Sequence, residues 1–137
     1  MKTNYFIKEC KNSGRFNGNQ INQIRLGFAD GLTIQQVELY AKPEFNSDQM
    51  YLIRLGFVQN LTIEQVRLYA NPKFNSDQMY LIHYGFKHNL SIEQIKVYAK
   101  PEFSSKQMKK IRDFIKENNI TDISINTIRF LLGLNCI

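Results

Sequence analysis

Nothing in the 137-residue chain approaches the roughly 18 consecutive apolar residues that a membrane-spanning helix needs, so no span is expected. The N-terminal apolar stretch of Met1-Lys2-Thr3-Asn4-Tyr5-Phe6-Ile7-Lys8-Glu9 breaks after three residues, unlike a secretory signal. Cysteine is scarce: Cys10 and Cys136 lie at opposite ends. They do not make a disulfide framework and fit a reduced, cytoplasmic setting. The two histidines, His83 and His88, are five residues apart, and no Cys-x-x-Cys pair exists. A tetrahedral metal site therefore has no local scaffold, and neither a metal nor a cofactor is expected. Paired carboxylates do not recur, no Cys stands near a His, and there is no nucleophile elbow or phosphate-binding glycine loop. The sequence names no catalytic residue, and the protein is not expected to be an enzyme.

What is present is a globular composition, 43% hydrophobic and 12% aromatic, with 18 Lys and Arg against 12 Asp and Glu. The net charge of +6 makes nucleic acid a first suggestion, whose strength depends on where the charge sits.

Self-similarity fixes the organisation. After an N-terminal segment, residues 1–15, three 29-residue units align without gaps over residues 16–44, 45–73 and 74–102. Twelve of 29 positions are identical in all three, too many for chance. A degenerate fourth unit and C-terminal cap fill residues 103–137; it keeps Gln107, Met108 and Ile111 but holds Phe114 where the others have glycine. The whole is read as one domain.

Each unit reads as two helices. In the second, Asn46 or Ser47 opens helix A, and Asp48 sits in the first turn, where a negative charge suits the helix dipole. Asn60, equivalent to Gly31 and Asn89, closes the helix in a left-handed conformation, and Leu61 folds back on its last turn. Thr62 and Gln65 form a capping box for helix B, repeated by Thr33 with Gln36 and Ser91 with Gln94. Helix B ends near Ala70-Asn71 because Pro72 cannot continue it. Helices of roughly 12 and 9 residues follow, too short to bury a core without stacked neighbours. On helix A the pairs Asn22-Gln23 and Lys109-Lys110 are polar, whereas Tyr51-Leu52 and Tyr80-Leu81 are apolar, as in a stack with solvated ends. The expected fold is all-α: a short α-solenoid of about three and a half helix-turn-helix repeats with atypical end caps. The apolar run 120–134 is expected to close the last unit.

Three recurring features bear on function. Gln20, Ile24, Gly27 and Phe28 share one face of helix A, and a glycine kept three times inside a helix suggests close helix-helix approach. Tyr40, Tyr69 and Tyr98 form a ladder on helix B, read as inter-repeat packing with the hydroxyl at the surface, with base stacking as the alternative. The hairpin also resembles a DNA-binding helix-turn-helix, but Glu64 and Glu93 in the first turn of helix B carry the wrong sign for phosphate.

The charge map narrows the search. Residues 1–15 and 103–137 carry +3 each, and the three units carry −1, +1 and 0. The excess is terminal, densest at Lys106, Lys109, Lys110, Arg112 and Lys116. A separate stripe, Arg25, Arg54 and His83, occupies one equivalent position on helix A. These eight residues are the candidate binding set.

The pattern carried by Gln49-Met50, Ile53-Arg54, Gly56-Phe57, Leu61-Thr62, Glu64-Gln65-Val66, Tyr69-Ala70 and Pro72 resembles short helical repeats of proteins from low-GC Gram-positive bacteria and their mobile elements. The resemblance spans residues 16–112 and is nearly silent on activity. It implies a phage or conjugative-element setting, and from that setting an anti-defence, anti-CRISPR-like role. The function expected is a non-enzymatic interaction protein for a protein or ribonucleoprotein partner. The alternative is a nucleic-acid-binding, helix-turn-helix-like regulator that uses its basic ends.

Overall fold

A computed structural model describes residues 2–119 and 125–133. The described residues form nine α-helices and no strand. They fall into two compact units, 1–72 and 73–137. The first holds α1 (Lys2–Asn12), α2 (Gly18–Ala29), α3 (Ile34–Glu38), α4 (Ser47–Val58) and α5 (Ile63–Arg67). The second holds α6 (Ser76–Lys87), α7 (Ile92–Tyr98), α8 (Ser105–Asn118) and α9 (Ile125–Leu131). The all-α class and the repeated hairpin are borne out: α2/α3, α4/α5 and α6/α7 are three copies of one helix pair.

Local chemistry explains each boundary. Asn17, Asn46, Asn75 and Ser104 are the N-caps of the four A helices, each accepting from the backbone N–H three residues on. The residue there is always glutamine, and its Oε1 accepts the N-cap N–H, completing a capping box. The C-termini close by two turn bonds: Asn60 N–H donates to Phe57 O and Leu61 N–H to Gly56 O, at 3.0 and 2.9 Å. This geometry places Gly31, Asn60 and Asn89 at φ of 88°, 69° and 67°. Replacing Asn60 with alanine should cost about 1 kcal/mol and replacing it with glycine almost nothing, measured as shifts in the urea midpoint.

Helix B is shorter than expected, five residues in α3 and α5 and seven in α7. The ladder tightens before the proline: Leu68 N–H bonds Gln65 O and Tyr69 N–H bonds Val66 O, three residues back rather than four. In all three repeats, whether helix B tightens or, as in α7, stays regular to its tyrosine, that ring lies on helix A of its own repeat. Tyr40, Tyr69 and Tyr98 are wholly buried. Their hydroxyls donate to the carbonyls of Gln23, Leu52 and Leu81 at 2.7, 2.9 and 3.1 Å. The expectation of a surface hydroxyl and of packing between repeats is thus corrected: the contact lies within the repeat, and the rings offer no face to a base. The glycines are explained by the same contact. A Cβ built on Gly27, Gly56 or Gly85 would lie 2.1–2.2 Å from the tyrosine oxygen.

Within the first unit α1 packs on α2, with Phe6 edge-on to Phe28 at 5.5 Å between ring centroids, and α2 packs on α4. Within the second, α8 packs on α6 and α7, and α9 on α8. Leu52 and Leu81 are buried, but Tyr51 and Tyr80 are 44% and 49% exposed. The expected apolar pair therefore divides, with leucine turned inward and tyrosine outward. Ile128 of α9 is buried, in keeping with a closing role for the C-terminal run; residues 120–124 and 134 of that run lie outside the described residues.

Candidate functional site

The second unit gathers aromatic and basic side chains along one edge. Helical spacing sets Tyr80 and Tyr84 one turn apart on α6, and His88, its C-cap, one turn further. The rings of Tyr80 and Tyr84 are stacked with centroids 5.7 Å apart, and those of Tyr84 and His88 are 4.1 Å apart. Alongside, α8 supplies the cations. The Arg112 guanidinium lies over the Tyr84 ring, 4.9 Å from its centroid. Lys116 Nζ is 3.5 Å from His88 Nδ1. Both pairs join residues 28 apart in sequence, so the two A helices run side by side in the same direction.

Asp113 is the carboxylate among the cations of α8. It accepts from Lys109 Nζ at 3.0 Å and from Arg112 Nη2 at 3.1 Å. Partial burial works against its charge, but the hydrogen bonds and charges of Lys109 and Arg112 prevail and hold its carboxyl below the ordinary value. Lys106, Lys109, Lys110 and Asp113 line a shallow surface depression of 240 Å³. The His88 imidazole is pushed down by local desolvation and then by the charges of Lys116, Arg112 and Lys87. Three cations acting on one exposed ring mark a surface of positive potential.

The candidate residues from the sequence take different places. Lys106, Lys109, Lys110 and Lys116 are exposed on α8. Arg112 is 8% exposed and braces α8 against α6 rather than standing in solvent. Arg25 is exposed on α2. Arg54, with its side chain 14% exposed, donates from Nε to Gln23 Oε1 at 3.0 Å and pairs with Asp30, tying α4 to α2. His83 is buried, and its pKa is lowered to about 4 by burial and by Lys87, so at neutral pH it adds no charge. Arg112 falls 29 residues after His83, the fourth member of the same helix A position. The stripe thus includes two arginines, Arg54 and Arg112, that each bridge to the preceding A helix.

The sequence reading missed Tyr80, Tyr84, His88 and Lys87. A signal existed: the third unit alone has rings at three successive helix A turns, where the first has Asn22, Leu26 and Asp30 and the second Tyr51, Leu55 and Gln59. Elsewhere, Cys10 is half buried, its thiol pushed up by desolvation and by Glu9. Among the described residues no group of three or more His, Cys, Asp or Glu side chains is placed to hold a metal ion. No helix among them is long and apolar enough to cross a membrane. No family model, curated protein or solved structure matches the chain.

Proposed function

We propose that the protein is a non-enzymatic interaction module that holds a protein or ribonucleoprotein partner through the α6–α8 edge of its second unit. The observation that carries the reading is the Tyr80–Tyr84–His88 row on α6 with Arg112 and Lys116 of α8 set against it, on the helix whose exposed Lys106, Lys109 and Lys110 line a surface depression. Such a surface attracts an acidic partner from a distance and offers it an aromatic anchor on contact. An anti-CRISPR-like inhibitor is one form this module would take, a setting drawn from the resemblance of the repeats alone.

Duplex reading by helix B is the less favoured alternative. At five residues, α3 and α5 span only about 7.5 Å, too little to follow a major groove, and Glu64 and Glu93 face the first turn.

The test compares the wild-type chain with Lys109→Glu/Lys110→Glu as bait in lysate of its own host. Both lysines are exposed, and exchanging the Lys109–Asp113 pair for a like-charge pair costs no more than about 1 kcal/mol, so the variant should stay folded and melt only a few degrees below the parent. The wild type should retain a saturable partner that elutes by about 0.5 M salt, and the variant should lose it. No saturable partner, or equal retention by the variant, would overturn the proposal.

A further inference from the structure

We infer that the Tyr80–Tyr84–His88 edge binds single-stranded nucleic acid, stacking bases on Tyr80 and His88 and leading the phosphates past Lys109 and Lys116. The inference rests on the proposed role of the α6–α8 edge and names the chemistry of what it contacts.

Two features separate this ligand from an acidic peptide or a duplex. An acidic peptide would pair with the lysines and use one ring as an anchor, whereas successive nucleobases stack on both exposed rings, Tyr80 and His88. The rings are also pre-set. Tyr84 is flanked by Tyr80 and His88 and covered by Arg112, so it serves as a spacer that holds the two outer rings in place. Fixed rings lose little freedom on binding. Tyr80 and His88 remain exposed. A duplex hides its base faces, and its 3.4 Å step is shorter than the 5.7 Å between the first two rings. A splayed single strand has no such restriction. Desolvation and the charges of Lys116, Arg112 and Lys87 lower the His88 pKa and so favour the uncharged ring, and Lys116 stands alongside to meet the phosphate. Lys109 is held by Asp113 but keeps most of its surface exposed, so a phosphate reaches it without unfolding anything.

The experiment is fluorescence anisotropy on the full chain at about 50 mM salt. The probes are fluorescein-labelled 12-mers of oligouridylate and oligothymidylate, a duplex of the same length, and polyglutamate of matched charge. Both single strands should bind at micromolar concentrations and at least about 10-fold more tightly than duplex or polyglutamate. The logarithm of affinity should fall with the logarithm of salt with a slope of about −1.4, as expected for the two phosphates met by Lys109 and Lys116. Tyr80→Ala, an exposed site, should weaken binding roughly 10-fold with unchanged melting, and Lys109→Glu/Lys116→Glu should abolish it. Tighter binding of the ribo-oligomer would identify RNA as the natural strand. Equal binding of polyglutamate or duplex, or Tyr80→Ala within twofold of the parent, would overturn the inference. A host partner lost by Lys109→Glu/Lys110→Glu while no oligomer binds would sink this inference and leave the interaction module standing. Oligomers that bind while that variant keeps its host partner would do the reverse.

Discussion

Gly56→Ala, a single added methyl group, should lower the stability of the protein by about 2 kcal/mol and its Tm by several degrees. On an ordinary exposed helix the same change would stabilise by about 1 kcal/mol, because glycine is the poorer helix former. The sign reverses because the new Cβ would lie 2.2 Å from the hydroxyl oxygen of Tyr69. That ring is wholly buried and bonded to Leu52 O, so it has nowhere to go. Either the hydrogen bond breaks and leaves both the buried hydroxyl and the Leu52 carbonyl unmet, at about 1–3 kcal/mol for each group, or the helix pair parts, and either outcome outweighs the gain of about 1 kcal/mol in propensity.

The double variant decides whether this account is right. Tyr69→Phe removes the clashing oxygen together with its hydrogen bond and alone should cost about 1 kcal/mol. Added to Gly56→Ala it should restore stability, so that the double variant melts above the Gly56→Ala single variant. A double variant that melts lower, with the two costs adding, would exclude the hydroxyl as the cause. The fourth repeat has already made the paired change. Its glycine position is Phe114 and its tyrosine position is Thr127, so where the long tyrosine side chain is absent the glycine is absent too.

That pairing shows what was legible in the sequence and what was not. Gly27, Gly56 and Gly85 announce a close approach through their repeated presence in a helix, and the identical spacing to Tyr40, Tyr69 and Tyr98 was visible. Periodicity does not say which side chain approaches, because the contact is set by the angle at which helix B crosses helix A, which the spacing within either helix does not contain. The helix B box and the helix A exit were legible, since Thr62 with Gln65 and the left-handed Asn60 depend only on neighbours in sequence, whereas the choice of Asn46 over Ser47 as the helix A cap and its box with Gln49 were not. Charge was legible as a sum but not as a surface. Arg112 counts with the lysines in composition, yet it spends its guanidinium on Tyr84 and Asp113. Tyr80 looked like stacking surface beside Leu81, and only the pitch of α6 separates the outward ring from the inward one. The site on the α6–α8 edge depends on residues 28 apart meeting across two helices, and single-helix patterns do not contain that information.

Gln78 carries the second large effect. The capping-box rule treats glutamine and glutamate at this position as equivalent, since either accepts the N-cap N–H. Here the side chain does more. Its Oε1 accepts from Asn75 N–H at 2.8 Å, while its Nε2 donates to Pro101 O at 3.1 Å and Phe103 O at 2.6 Å. One amide thus ties the start of helix A to the exit of its own repeat and the first residue of the next, and Gln20 does the same with Pro43 and Phe45. Gln78→Leu fills the space but leaves a donor and two acceptors unmet, at a cost of about 3 kcal/mol. Gln78→Glu keeps the cap and turns a charged oxygen toward two carbonyls, so it should be comparably damaging at pH 7. Its penalty should ease on acidification, because a protonated carboxyl donates where the amide did. That glutamate would have a folded-state pKa above its unfolded value of about 4.3. Its neutral form is then the stabilising one, present in full below about pH 4 and lost as the pH rises through the raised pKa. Urea midpoints of Gln78→Glu measured against the parent at pH 7 and pH 4.5 should therefore converge at the lower pH, whereas those of Gln78→Leu should keep a constant gap. A gap for Gln78→Glu that does not narrow would mean that the amide hydrogens, and so the bonds to Pro101 and Phe103, contribute nothing to the fold.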